Sequence, residues 1–123
     1  EKRSVSTTML HYPSFVLDVK NAISSGLVKE KIDQVKTAQV LILDDIGAEQ
    51  SSPWMRDEIL QVILQHRMQE NLPTFFTSNF SFADLERHFA SSKNGDETWQ
   101  AKRVMERIKF LAQEVRLEGE NRR

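Results

Sequence analysis

The sequence predicts an α/β fold, a parallel sheet layered between helices as the middle of three layers, and three observations carry that prediction. Strand-like and helix-like segments alternate along the chain, joined by connections too long for hairpins. Val40-Leu41-Ile42-Leu43 is an apolar run without alternation, bounded by polar residues, which suits a strand buried on both faces. The chain has 123 residues, of which 39% are hydrophobic, enough for one core and too short for two.

In order, Val5 to Leu10 reads as the first strand, and Tyr12-Pro13-Ser14 as a turn. Phe15, Val16, Val19 and Ile23, spaced by helical intervals, mark a helix with one face on the core, ended by Ser24-Ser25-Gly26. The strand Val40 to Leu43 runs straight into Asp44-Asp45-Ile46-Gly47. Ser51-Ser52-Pro53 is a helix-start signal, and Ile59, Leu60, Ile63, Leu64 and Arg67 continue a stripe toward Gln69. Leu72 to Thr77 reads as a short strand closed by Ser78-Asn79, and Ser81 is placed to cap a helix from Phe82 to Ala90. Ser91 to Glu97, centred on Lys93-Asn94-Gly95-Asp96, has the composition of a mobile loop. A helix from Thr98 to Ala112 and a strand from Glu114 to Leu117 complete the prediction. The start at Glu1, without methionine and close upon a strand, reads as a fragment of a longer chain.

Composition excludes several classes. There is no cysteine, which removes disulfides and thiolate metal sites and fits a reducing compartment. With Val40 to Leu43 the longest apolar run, neither a transmembrane helix nor a signal-peptide core is present. A formal charge of −1 gives no overall field for gripping nucleic acid. The distribution is uneven: residues 44–98 carry a balance of −6 and residues 99–123 one of +3, so the C-terminal segment is the better place for an anion or partner surface. His11, His66 and His88 lack metal-ligand spacing and read as surface or half-buried packing. Phe75 and Phe76 read as residues of a buried strand, and Trp54 and Trp99 as covers for helix ends.

The chemistry-bearing residues begin with Asp44 and Asp45. In a parallel sheet, ligands collect outside the carboxyl ends of the strands, where these acids fall. Neighbouring strand residues point to opposite sides, so one carboxylate can hold Mg²⁺ through water while the other orients or deprotonates an attacking water. A solvated acidic turn is the alternative. Asn79 ends a strand expected beside the first, where an amide can hydrogen-bond a γ-phosphate and the lytic water; a simple turn residue is its alternative.

The stretches Ile42-Leu43-Asp44-Asp45-Ile46-Gly47-Ala48-Glu49, Phe75-Phe76-Thr77-Ser78-Asn79 and Ala101-Lys102-Arg103-Val104-Met105-Glu106-Arg107-Ile108 resemble AAA+ ATPases of the DnaC/DnaI group of bacterial replicative helicase loaders. The resemblance covers essentially all of residues 1–123. It implies a partial AAA+ domain of P-loop NTPase type, with Asp44 the Walker B acid on the magnesium side and Asp45 in the catalytic-base position. It further implies Asn79 as sensor 1 and Arg107 as the arginine finger that reaches a neighbouring subunit's nucleotide. Arg103 lies one turn before Arg107 on the same helix face. Gly119-Glu120-Asn121-Arg122-Arg123 falls where the family carries its sensor 2 arginine, and the count from the glycine favours Arg123 over Arg122. For the lone arginines, a solvated helix face or a frayed basic tail is the alternative.

One departure is large. None of Gly26, Gly47, Gly95 and Gly119 precedes a lysine and a serine or threonine, so the phosphate-cradling Walker A loop is absent from these residues. In the family that loop precedes the strand placed at Val5 to Leu10, so the fold reads as cut before the Walker A segment and this stretch alone is expected to be inactive. The resemblance implies that the intact protein is a cytoplasmic ATPase using ATP and Mg²⁺. Its implied partners are single-stranded DNA, a replicative helicase and further copies of itself, with no membrane. Lys20, Lys29 and Lys31 lie where such loaders carry a DNA-contacting helix, although the interspersed Asp18, Glu30 and Asp33 suit a solvated face. Alternatives are the helper ATPase of a transposition system, which shares the Walker B and Thr-Ser-Asn features, and a non-catalytic AAA+ interaction module.

Overall fold

The computed structural model describes residues 6–50, 52–92 and 95–121. Its centre is a three-stranded parallel sheet of β1 (Thr7–His11), β2 (Val40–Asp44) and β3 (Thr74–Phe76), in that spatial order. The register sets Thr7 beside Val40 and His11 beside Asp44, then Leu41 beside Thr74 and Leu43 beside Phe76. Helices α1 (Tyr12–Ala22) and α2 (Val28–Lys36) connect β1 to β2. A π-helical stretch, Met55–Leu60, runs directly into α3 (Gln61–Gln69) and connects β2 to β3. Helices α4 (Phe82–Ala90) and α5 (Thr98–Asn121) follow, separated by the minimal antiparallel pair β4 (Ser91–Ser92) and β5 (Gly95–Asp96). The predicted parallel α/β sheet with flanking helices is the observed one.

Apolar periodicity explains the packing. Leu41 and Leu43 of β2 are fully buried, as are Ile59, Leu60, Ile63 and Leu64 of the second crossover, so the predicted stripe faces the core. Val40 and Ile42 are only half-buried, so the sheet is covered more deeply on one face than on the other. Ser81 caps α4 by accepting the Asp84 N–H at 3.1 Å.

Two buried arginines pin the crossovers. Arg67 of α3 is 0% exposed and donates to Thr74 Oγ1 at 2.7 Å and to the carbonyls of Val35, Lys36, Ala38 and Pro73. It thereby ties the end of α2 and the entries of β2 and β3 to one helix. Burial lowers its pKa to about 10, which leaves it charged at neutral pH. Arg56 grips both oxygens of Asp57 at 2.7 Å, the Phe89 carbonyl at 2.9 Å and Glu97 at 2.7 Å, joining the π-helical stretch to the far end of α4. Its pKa is raised, chiefly by the Asp57 hydrogen bonds.

Several elements differ from the sequence reading. Tyr12-Pro13-Ser14 is the first turn of α1 rather than a turn before it, because proline's missing N–H and preset φ suit that position. Ile23 is 54% exposed beyond the end of α1, and Ala22 takes the inward place. The strand expected at Glu114–Leu117 is helical backbone within α5. Extending a helix adds one hydrogen bond per residue locally, whereas a short strand gains bonds only beside an open sheet edge. Phe75 and Phe76 are half-buried, and the buried residue of β3 is Thr74. Trp99 is 65% exposed rather than a cover, and Val5 lies outside the described residues.

Candidate functional site

The carboxyl ends of all three strands meet at the two acids. Asp44 is the last residue of β2, and its Oδ1 accepts the Thr77 hydroxyl at 2.6 Å. The same Thr77 Oγ accepts the Asp45 N–H at 2.8 Å, while the Thr77 N–H donates to the Leu43 carbonyl and the Thr77 carbonyl accepts the Ile46 N–H. Thr77 therefore clamps the acidic turn to the strand beside it with four hydrogen bonds. Asp45 has φ +61°, a left-handed conformation that a non-glycine residue holds only when its surroundings enforce it. That turn carries its carboxylate away from Asp44 toward β1, where Oδ2 lies 3.4 Å from His11 Nε2; His11 Nδ1 in turn meets Ser14 Oγ at 2.8 Å. The two acids take different partners, and they do so through the left-handed residue rather than through the strand's pleat, which ends at Asp44.

The turn is braced from behind. Glu49, 8% exposed, accepts the Gly47 N–H at 2.8 Å through one carboxylate oxygen and meets His88 Nε2 at 2.9 Å through the other. His88 stacks on Phe80, the residue after Asn79, and Phe80 also covers Gly47. The hydroxyl of buried Tyr12 has its pKa raised well above the ordinary value, first by burial and then by the Glu49 charge. Gly47 has φ +107°, and a Cβ there would lie 2.5 Å from the Phe80 ring and 2.9 Å from Leu85. Gly47→Ala is therefore expected to destabilise the protein by about 2 to 3 kcal/mol, read as a lower urea midpoint. A midpoint equal to wild type would show that the turn and Phe80 relax freely.

Asn79 is exposed on the segment after β3, which pairs with β2 as predicted, so Asp44, Asp45 and the asparagine share one end of the sheet. Arg103 and Arg107 lie elsewhere, in an open groove of about 540 Å³ between α3 and α5 that Lys36, Gln61, Gln65 and His66 also line. Arg107 Nε donates to Gln65 Oε1 at 2.7 Å, and its Nη1 donates to the Arg103 carbonyl at 3.2 Å. The Arg103 guanidinium sits 5.0 Å from the centroid of the Trp99 ring. Gln61 Oε1 is buried without a hydrogen-bond partner among the described residues. Arg122 and Arg123 lie outside the described residues. Lys29 pairs with Asp33 at 2.9 Å, as a solvated charged face would, and Lys20 is exposed on α1.

Residues 4–123 match the family of IstB-like ATP binding proteins. The chain belongs to that family. This IstB-like chain is 48% identical over 123 residues to the replicative helicase loader DnaI of Bacillus subtilis (strain 168), covering 99% of the chain and 40% of that protein. Its fold superposes on the crystal structure of DnaI with a TM-score of 0.78 at 43% identity, over 89% of this chain and 56% of that one. It also matches a candidate primosome component from Streptococcus pyogenes serotype M3, with TM-score 0.68 and 63% identity, over 89% and 50%. The IstB-like chain thus spans about half or less of the length of these relatives. Among its described residues no helix is long and apolar enough to cross a membrane.

The sequence reading did not single out His11, Glu49, His88, Thr77 or Gln65 as functional. Thr77 and Glu49 left a local trace, since both fall within the quoted motifs. His11, His88 and Gln65 reach Asp45, Glu49 and Arg107 across 34 to 42 positions of chain, which no local pattern encodes.

Proposed function

We propose that this chain is part of the AAA+ ATPase domain of a helicase loader that couples ATP and single-stranded DNA binding to placement of a replicative helicase during DNA replication. The observation that carries the reading is the Asp44–Thr77–Asp45 clamp at the carboxyl end of the sheet, in a chain nearly half identical to a helicase loader. In this reading Asp44 holds Mg²⁺. A half-buried carboxylate with a hydroxyl donor on Oδ1 is a hard-oxygen site that fits that ion, which would neutralise charge on a bound nucleotide's phosphates. Asp45 orients or deprotonates the attacking water, with His11 placed to steady its carboxylate. Aspartate is one methylene shorter than the glutamate common at this position, so His11 and the left-handed backbone matter more in setting its reach. Asn79 is the sensor that hydrogen-bonds phosphate and water. Arg107 acts on the nucleotide of a neighbouring subunit, with Arg103 beside it, and their separation from Asp44 and Asp45 supports action in trans. Arg123 is proposed as sensor 2. The Walker A cradle for ATP is not among these residues.

In the full-length protein, Asp44→Ala is expected to lower magnesium-dependent ATP hydrolysis by about 100-fold or more while leaving the far-UV circular dichroism spectrum unchanged. Turnover within two-fold of wild type would remove Asp44 from the site. The loader assignment itself is tested by mixing the full-length protein with replicative helicase. A stable complex on size-exclusion chromatography, with faster helicase placement on single-stranded DNA, is expected; no complex at micromolar concentrations would overturn it.

A further inference from the structure

We infer that Gln65 is a positioning residue for Arg107, holding its guanidinium in the orientation from which it reaches across a subunit interface. The inference rests on the reading of Arg107 as a trans-acting finger and deepens it. A long arginine side chain samples many rotamers, and a finger that must find a phosphate in a neighbouring molecule loses rate to every orientation that misses. Two contacts define the guanidinium plane here: Nε–H to Gln65 Oε1 at 2.7 Å, and Nη1–H to the Arg103 carbonyl at 3.2 Å. The first comes from a different helix, α3, whose inward face is anchored by fully buried Ile63 and Leu64 and by buried Arg67. Gln65 therefore stands on a fixed platform 42 positions from the arginine it holds.

The chemistry of the acceptor also fits. A carboxylate at this position would hold an arginine more tightly but would cancel the charge that a finger brings to phosphate. A neutral amide oxygen orients the fork and leaves its charge intact. Among the described residues no carboxylate lines the groove, so the charges of Arg103 and Arg107 are not cancelled by its walls, while Lys36 at its edge is paired with Asp33 at 3.6 Å. Among the described residues Arg103 has no such side-chain acceptor. Its guanidinium lies over the exposed Trp99 ring, so Gln65 distinguishes the two arginines and acts on Arg107 alone.

The test uses full-length protein under conditions where it assembles. Gln65→Met keeps the side chain's length and volume but removes the acceptor. It is expected to lower assembly-dependent ATP hydrolysis roughly ten-fold, the order a lost charge-assisted hydrogen bond supports, with the KM for ATP, assembly and melting temperature unchanged. Mixing Gln65→Met subunits with Asp45→Ala subunits should restore turnover, because some interfaces then join an intact Asp45 to an intact Gln65–Arg107 pair. Mixing Gln65→Met with Arg107→Ala should restore none, because both defects lie on the same half of the shared site. Recovery in that second mixture, or normal turnover by Gln65→Met alone, overturns the inference. If Gln65→Met melts lower, the Arg107→Ala background decides: a positioning role predicts no further loss of turnover there, and an undiminished ten-fold loss shows a structural role. Failure of Arg107→Ala and Asp45→Ala to complement in confirmed assemblies would instead defeat the finger reading, and the inference with it.

Discussion

Arg107→Ala in the full-length protein is expected to lower assembly-dependent ATP hydrolysis by about 10³-fold or more, the scale on which an arginine finger stabilises charge on the transferring phosphoryl group. Nucleotide binding by the isolated monomer should be unchanged, because the guanidinium lies in the groove between α3 and α5 and not beside Asp44 and Asp45. Arg107→Lys should rescue poorly. Lysine keeps the charge but cannot reproduce the planar fork, and it has no Nε–H to give Gln65. In steady-state kinetics the loss should fall on kcat, with the KM for ATP little altered. An arginine on a solvated helix face would tolerate both substitutions with normal activity and a stability change within about 0.5 kcal/mol. Normal turnover by Arg107→Ala in confirmed assemblies would return Arg107 to that class.

The largest effect on stability is expected at Arg67. Replacing it with methionine keeps much of the aliphatic volume but strips the Thr74 hydroxyl and the carbonyls of Val35, Lys36, Ala38 and Pro73 of a shared donor. Leaving such a group of acceptors partly unsatisfied in a buried place costs about 3 to 5 kcal/mol, read as a fall in the urea midpoint with the slope preserved. Arg67→Lys should recover only part of this, since one ammonium cannot span acceptors at the end of α2 and at the start of β3. The contrast is Arg87→Ala, which removes an exposed pair with Asp84 on α4 and should cost within about 0.5 kcal/mol. Equal effects at the two positions would show that the Arg67 network is replaceable by water.

Gln65 and Arg67 sit two residues apart on α3 and face opposite tasks. One reaches outward to the half-buried Arg107, and the other turns inward as an arginine among carbonyls. Helical geometry makes this possible, since residues two apart do not share a face. Substitutions in α3 therefore separate stability from turnover when they are made one at a time.

Local pattern was enough for the elements whose reasons are local. The parallel sheet followed from an unalternating apolar run between helical stripes, the second crossover from the spacing of Ile59, Leu60, Ile63 and Leu64, and the α4 cap from Ser81. The placement of Asp44, Asp45 and Asn79 at one end of the sheet was legible because strand ends in a parallel sheet gather at one edge, and β2 and β3 do pair there. The boundaries of α1 and α5 were misread where proline tolerance and helix propagation outweighed turn and strand signals. The sequence by itself determined the parallel sheet and the acids at its mouth, because periodicity and chain direction are written in neighbouring residues. Only the tertiary structure decided that Thr77 clamps the acids, that Asp45 turns toward His11, that Glu49 and His88 brace Gly47, and that Gln65 holds Arg107. Each of the last three joins or supports groups distant in sequence through side chains such as amides and imidazoles, and their identity carries no signal until packing sets them within 3.4 Å of their partners.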